Sequence, residues 1–288
     1  MPTVRANEMQ LYFEVQGNPD DPALLLVAGH GAQLLWWHPE LVAAFVDRGF
    51  FVIRLDNRDV GLSTHLDGAP VPNVWEVALG DHDDVAYRIE DMADDAAGLL
   101  DALGVGRAHV LGISLGGMVV QSLAIRHPDA VASLTSVMST PAPLEIGRPT
   151  DEVIERWLEP SATTRDGYVQ RTLDNAQRNG SRALGIDAAW LADYAGREYD
   201  RSFDPDGVDR QLAAVVASTD RRPGLRGVVA PTLVVHGAID PVITLSGGEA
   251  TAEAVPGARL VVVDQMGHDL PRSIWPALVD DVALLSGR

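Results

Sequence analysis

The sequence predicts an α/β fold: a doubly wound, mainly parallel sheet with a helical segment inserted into it. Three observations predict it. Short apolar runs at residues 23–27, 51–55, 108–113, 131–138 and 232–237 read as strands covered on both faces. Amphipathic stretches at 41–48, 89–103 and 115–127 fall between them, and end at Gly49, Gly104 and Pro128. From Thr140 to Arg222 the strand pattern stops and helix-like stretches alone remain. Strands separated by helices must be joined by crossovers, and crossovers make neighbouring strands parallel.

Taken in order, residues 10–15 alternate apolar and polar side chains, as an edge strand does. The run Asn18-Pro19-Asp20-Asp21-Pro22 is a turn. Strand 23–27 is followed by the loop Ala28-Gly29-His30-Gly31, and strand 51–55 by a polar turn from Asp56 to Ser63. Residues 65–87 carry prolines and no clear period, so they read as a surface excursion. Within the insertion, 151–158, 167–179 and 187–197 have helical character. The pattern resumes at strand 232–237 and closes with strand 258–263 and helix 274–285. The chain thus divides into a first part of the core, 1–139, a helical lid, 140–222, and a second part of the core, 223–288.

A length of 288 residues with 46% hydrophobic residues suits one large globular domain with such an insertion. The absence of cysteine excludes disulfides, thiolate metal sites and a catalytic thiol. A net charge of −19 argues against a nucleic-acid partner, which requires a basic surface. All 22 basic residues are arginine. No apolar run approaches the roughly 20 residues of a membrane span, and the N-terminal residues lack an apolar leader core. The expectation is a cytoplasmic protein without membrane partners. The eight histidines show no ligand spacing, so neither a metal nor another cofactor is expected.

The sharpest feature is Gly112-x-Ser114-x-Gly116, set between an apolar strand and a helix. A serine hydroxyl is a weak nucleophile and has to be held where a base reaches it. A tight strand-to-helix turn does so, and glycines on either side relieve its crowding. Such a serine needs a histidine base and an acid that orients it. In doubly wound sheets these groups lie just after the carboxyl ends of strands. Asp240 follows strand 232–237, and His268 follows the last strand. The order Ser114, Asp240, His268 is the one this architecture uses. Asp264 and Asp269 are the rival acids, Asp264 the better placed of the two. His236, inside a strand, reads as a packed, hydrogen-bonded residue. Acyl transfer also needs fixed donors for the developing oxyanion. The backbone N–H groups of Leu115, after the nucleophile, and of His30, in the loop after strand 23–27, are the candidates. Trp36, Trp37, Trp157 and Trp190 are candidates for the walls of an apolar substrate pocket.

With these elements placed, the chain resembles the α/β-hydrolase superfamily along almost its whole length. Two further marks carry the resemblance: Asp56-Asn57-Arg58-Asp59-Val60-Gly61-Leu62-Ser63, similar to the family's D-x-R-x-x-G-x-S turn, and His236-Gly237-x-x-Asp240-Pro241 around the acid. The chain is most similar to lid-bearing serine esterases that include the aclacinomycin methylesterases. It departs from the common pattern in Ala28-Gly29, where His-Gly is usual, and in Leu115, where methionine or glutamine often follows the serine. The resemblance implies cleavage of a small-molecule carboxylic ester through an acyl-serine, with no cofactor. The same triad would serve a lactonase, a carbon–carbon bond hydrolase or a cofactor-free perhydrolase. A ligand-binding receptor that kept the triad is the alternative outside catalysis.

Overall fold

Eight strands form one sheet in the order β1-β2-β4-β3-β5-β6-β7-β8. They are β1 (Thr3–Ala6), β2 (Met9–Gln16), β3 (Ala23–Val27), β4 (Phe51–Leu55), β5 (Ala108–Ile113), β6 (Val131–Val137), β7 (Thr232–Gly237) and β8 (Arg259–Val263). Strand β2 pairs antiparallel with β1 and β4, and every later pairing is parallel. The computed structural model describes residues 2–141, 145–157, 159 and 162–287.

The continuous apolar runs have the expected cause. Every residue of β3 and of β7 is buried, because helices cover both faces of the sheet. Successive strand side chains point to opposite faces. Leu25 and Val27 therefore pack with Met92 and Leu99 of α3 (Ile89–Ala102) and Val119 and Leu123 of α4 (Leu115–Arg126). Leu24 and Leu26 instead meet Leu41 and Phe45 of α1 (Pro39–Asp47) and Leu278 and Val282 of α11 (Trp275–Leu285) on the other side.

Between β6 and β7 the chain forms α5 (Asp151–Trp157), α6 (Arg165–Asn179), α7 (Ala188–Arg201), α8 (Pro205–Val216) and the short α9 (Arg222–Leu225). Leu158, expected to end the first of these, lies outside the described residues, as do 142–144 of the expected insertion. The polar turn after β4 ties this helical segment to the core. Asp59 takes a two-pronged ion pair from Arg210, both contacts at 2.9 Å, with both side chains buried. Asp56 pairs with Arg201 at 2.7 Å and accepts from the Leu34 and Leu62 N–H groups. Buried Glu198 on α7 accepts from the hydroxyls of Tyr168 and Tyr194 and from the Gln33 N–H.

The structure adds elements absent from the sequence expectation: the edge strand β1, the short helix α2 (Val74–Ala78), α8 and α10 (Leu245–Ala254). Two adjacent glycines, Gly247 and Gly248, weaken the local helix signal of α10. Packing demands one of them: a Cβ on Gly248 would sit 2.6 Å from Nδ1 of buried His236. No helix among the described residues is long and apolar enough to cross a membrane.

Candidate active site

At the end of β5 the chain turns into α4 through Ser114, whose φ of 52° lies in a region non-glycine residues rarely occupy. The neighbouring glycines make the turn possible. A Cβ on Gly112 would stand 2.1 Å from the Gly116 carbonyl oxygen, and one on Gly116 would stand 2.2 Å from that of Val27. Surrounding bonds over-determine the strained serine: its N–H donates to the Val137 carbonyl, and its own carbonyl accepts from Ser139 Oγ and the Met118 N–H.

The structure brings Ser114, His268 and Asp240 together. His268 Nδ1 lies 2.7 Å from Asp240 Oδ2, and His268 Nε2 lies 3.0 Å from Ser114 Oγ. A carboxylate only accepts, so Nδ1 carries the proton and Nε2 is left to accept from the serine hydroxyl. Asp240 is buried, and its other oxygen, Oδ1, accepts from the Val242 and Ile243 N–H groups at 2.8 and 3.0 Å. The rival acids are elsewhere. Asp264 is exposed, whereas Asp269 turns to Ser181, accepting from its N–H and its hydroxyl. Burial pushes the Asp269 carboxyl up, and the Ser181 bonds only partly offset this. His236 donates from Nε2 to the Ile243 carbonyl at 2.8 Å, bracing the loop that carries Asp240; burial lowers its pKa and keeps it neutral.

The loop after β3 runs against the nucleophile, since a Cβ on Gly29 would lie 3.3 Å from Ser114 Cβ. His30 follows Gly29 there, and Leu115 opens α4. The His30 imidazole is engaged by the insertion, its Nε2 2.8 Å from the Val208 carbonyl of α8. Desolvation lowers the His30 pKa, outweighing the Val208 bond and nearby Asp209.

A cavity of about 380 Å³ opens on Ser114 and His268. Trp36 and Trp157 line it. Trp37 and Trp190 do not. Trp36 ends a short 3-10 turn, whereas Trp37 follows it in extended backbone and is fully buried in the core, with the two rings edge-on at 5.1 Å. Trp190 stacks on Tyr194 and faces a neighbouring cavity of about 330 Å³. Sequence reasoning missed Arg156 and Arg171, two cations in the wall of the first cavity, because nothing local says which face of an insertion helix meets the core.

The family model for the alpha/beta hydrolase fold matches residues 22–271. The rhodomycin D methylesterase DnrP of Streptomyces peucetius is 28% identical over 96% of each chain. The putative carbamate hydrolase RutD of Variovorax paradoxus is 29% identical over 96% of this chain and 95% of its own. Among solved structures, the enol-lactonase from Burkholderia xenovorans LB400 superposes with a TM-score of 0.75 at 25% identity, covering all of both chains.

Proposed function

The chain belongs to the α/β-hydrolase family, and on that footing we propose that it is a serine hydrolase that cleaves a carboxylic ester of a small molecule. One observation carries the reading: the unbroken hydrogen-bonded line from Asp240 through His268 to Ser114 Oγ, opening on a largely apolar cavity.

In this mechanism Ser114 Oγ attacks the ester carbonyl carbon while His268 Nε2 takes its proton. Asp240 holds the imidazole in the tautomer that leaves Nε2 free, and stabilises the imidazolium. The carbonyl oxygen, now negative, meets the N–H groups of His30 and Leu115 at the start of α4, where the helix's own unpaired N–H groups add positive potential. Collapse expels the alcohol, which takes the proton from His268 and leaves an acyl-serine. Water, deprotonated by His268, attacks the acyl carbon, and a second collapse frees the acid and restores Ser114. Every group needed belongs to the chain, the ester or water.

The helical segment 140–222 acts as a lid in this reading, since α5, α6, α7 and α8 each contribute to the cavity wall. Its apolar walls suit an apolar acyl or alcohol portion. The methylesterase relative supports a methyl ester as the scissile bond; the enol-lactonase neighbour supports a lactone, a cyclic ester that the same steps open. The test is turnover of p-nitrophenyl and methyl esters by the wild type and by Ser114→Ala. A loss of about 10⁴-fold or more in the variant, with its fold intact, is expected. Equal rates would overturn the reading.

A further inference from the structure

The cavity that opens on Ser114 runs against the charge of the chain. The protein has 41 acidic and 22 basic residues, yet the described cavity wall holds two guanidinium groups, Arg156 and Arg171, and one carboxylate, Asp269. Asp269 is engaged by Ser181. The wall is therefore locally cationic inside a strongly anionic molecule.

Arg156 is held in place without being neutralised. Its Nη2 donates to Asn179 Oδ1 at 2.6 Å and its Nε to the Glu152 carbonyl at 3.3 Å, both uncharged acceptors. Among the described residues it makes no ion pair with a carboxylate, and its Nη1 is buried with no hydrogen-bond partner. A buried donor without a partner carries a desolvation cost, and the cost is larger when the group is charged. The anchor of Arg156 is close to the chemistry: the Asn179 carbonyl accepts from the His268 N–H at 2.7 Å. Arg156 thus stands one residue from the triad histidine, on the wall of the same cavity.

We infer that Arg156 is a specificity-determining residue that receives a carboxylate carried by the substrate away from the scissile ester. The inference rests on the serine-hydrolase reading. A guanidinium fork matches the two oxygens of a carboxylate, and the Asn179 contact leaves Nη2 a second N–H. No carboxylate among the described residues offsets the Arg156 charge, so a substrate carboxylate is attracted to it, and the apolar walls strengthen the attraction. The overall negative potential of the protein opposes an anionic ester, and a local cation offsets that repulsion.

The test uses monomethyl esters of the dicarboxylic acids from succinate to suberate, each beside the methyl ester whose far end is a primary amide. The pair has the same shape and differs in charge. The wild type is expected to favour the acid in kcat/KM by about tenfold or more at its best chain length. In Arg156→Gln that ratio falls to about one, and in Arg156→Lys, which keeps the charge without the fork, it lies between. Thermal unfolding of each variant reports on the fold. A wild type with no preference, or a preference that survives in Arg156→Gln, overturns the inference; so does a loss shared equally by both esters. Calorimetric binding of monomethyl adipate to Ser114→Ala, with and without Arg156→Gln, needs no turnover. Arg156-dependent binding in a protein that hydrolyses no ester keeps the inference and removes the serine-hydrolase reading. Hydrolysis of both esters with binding indifferent to Arg156 does the reverse.

Discussion

The His268 N–H donates to the Asn179 carbonyl at 2.7 Å, so the backbone of the triad histidine is fixed by the end of an insertion helix and not by the sheet that precedes it. The contact is tight. A Cβ on Gly267 would lie 2.1 Å from that same carbonyl oxygen and 2.8 Å from the Gly180 carbonyl carbon, both backbone atoms. Gly267→Ala must push the two segments apart and carry His268 with them. A displacement of that size costs on the order of 10²-fold in kcat/KM with every triad side chain present. Ester turnover beside a thermal melt checks this; a folded Gly267→Ala enzyme with wild-type turnover would show that the clamp does not position the base.

The acids separate by their contacts. Asp240→Asn is expected to cost on the order of 10²–10⁴ in turnover, through the wrong imidazole tautomer. Asp264→Asn, at an exposed site, stays within about tenfold of wild type. Steady-state kinetics on one ester decides, and the reverse ranking would move the acid to the end of β8.

At His30 the proposed oxyanion donor is the backbone N–H. The imidazole is turned to Val208, so His30→Ala keeps turnover within about tenfold. His30→Pro removes the N–H and costs about 10²-fold or more. Circular dichroism guards against a distorted loop. A folded His30→Ala variant as inactive as Ser114→Ala would place the side chain in the chemistry.

His65 joins the core to the insertion by its contact with Asp204. Burial lowers its pKa, but the Gly61 carbonyl and Asp204 outweigh burial and raise it above the ordinary value of 6.5. A histidine whose folded pKa is raised adds stability that is fully present below the unfolded value and is lost as pH rises through the folded one. The gap in melting temperature between wild type and His65→Gln is therefore largest near pH 5.5 and shrinks towards pH 8.5. A gap that stays constant or widens with pH contradicts the charged pair.

How much of this was legible in the sequence follows from where each signal lives. Strands β3, β5 and β7 are buried on both faces, so burial is written directly as apolar runs, and residues just after them can be placed. That is why Ser114 and Asp240 stood out; His268 follows β8, a partly exposed edge strand whose apolar run 260–263 still marks it as a strand. The insertion has no such rule. Whether Arg156 faces solvent or the cavity depends on how α5 is rolled, which is set by distant contacts. Trp36 and Trp37 differ by one position, yet one lines the cavity and the other fills the core. The turn from Asp56 to Ser63 was visible as a motif, but its ion pairs to Arg201 and Arg210 span about half of the chain and have no local signature.

In the proposed mechanism Ser114 is the nucleophile and His268 activates it. A fluorophosphonate probe, read by peptide mass spectrometry, tests it most directly. A single adduct is expected on the peptide holding Ser114, absent in Ser114→Ala and strongly slowed in His268→Ala. Ser136 and Ser139 should stay unmodified: both are buried, with Ser136 Oγ accepting from Gln121 and Ser139 Oγ donating to the Ser114 carbonyl. An adduct on Ser136 or Ser139, or undiminished labelling of Ser114→Ala, would contradict it.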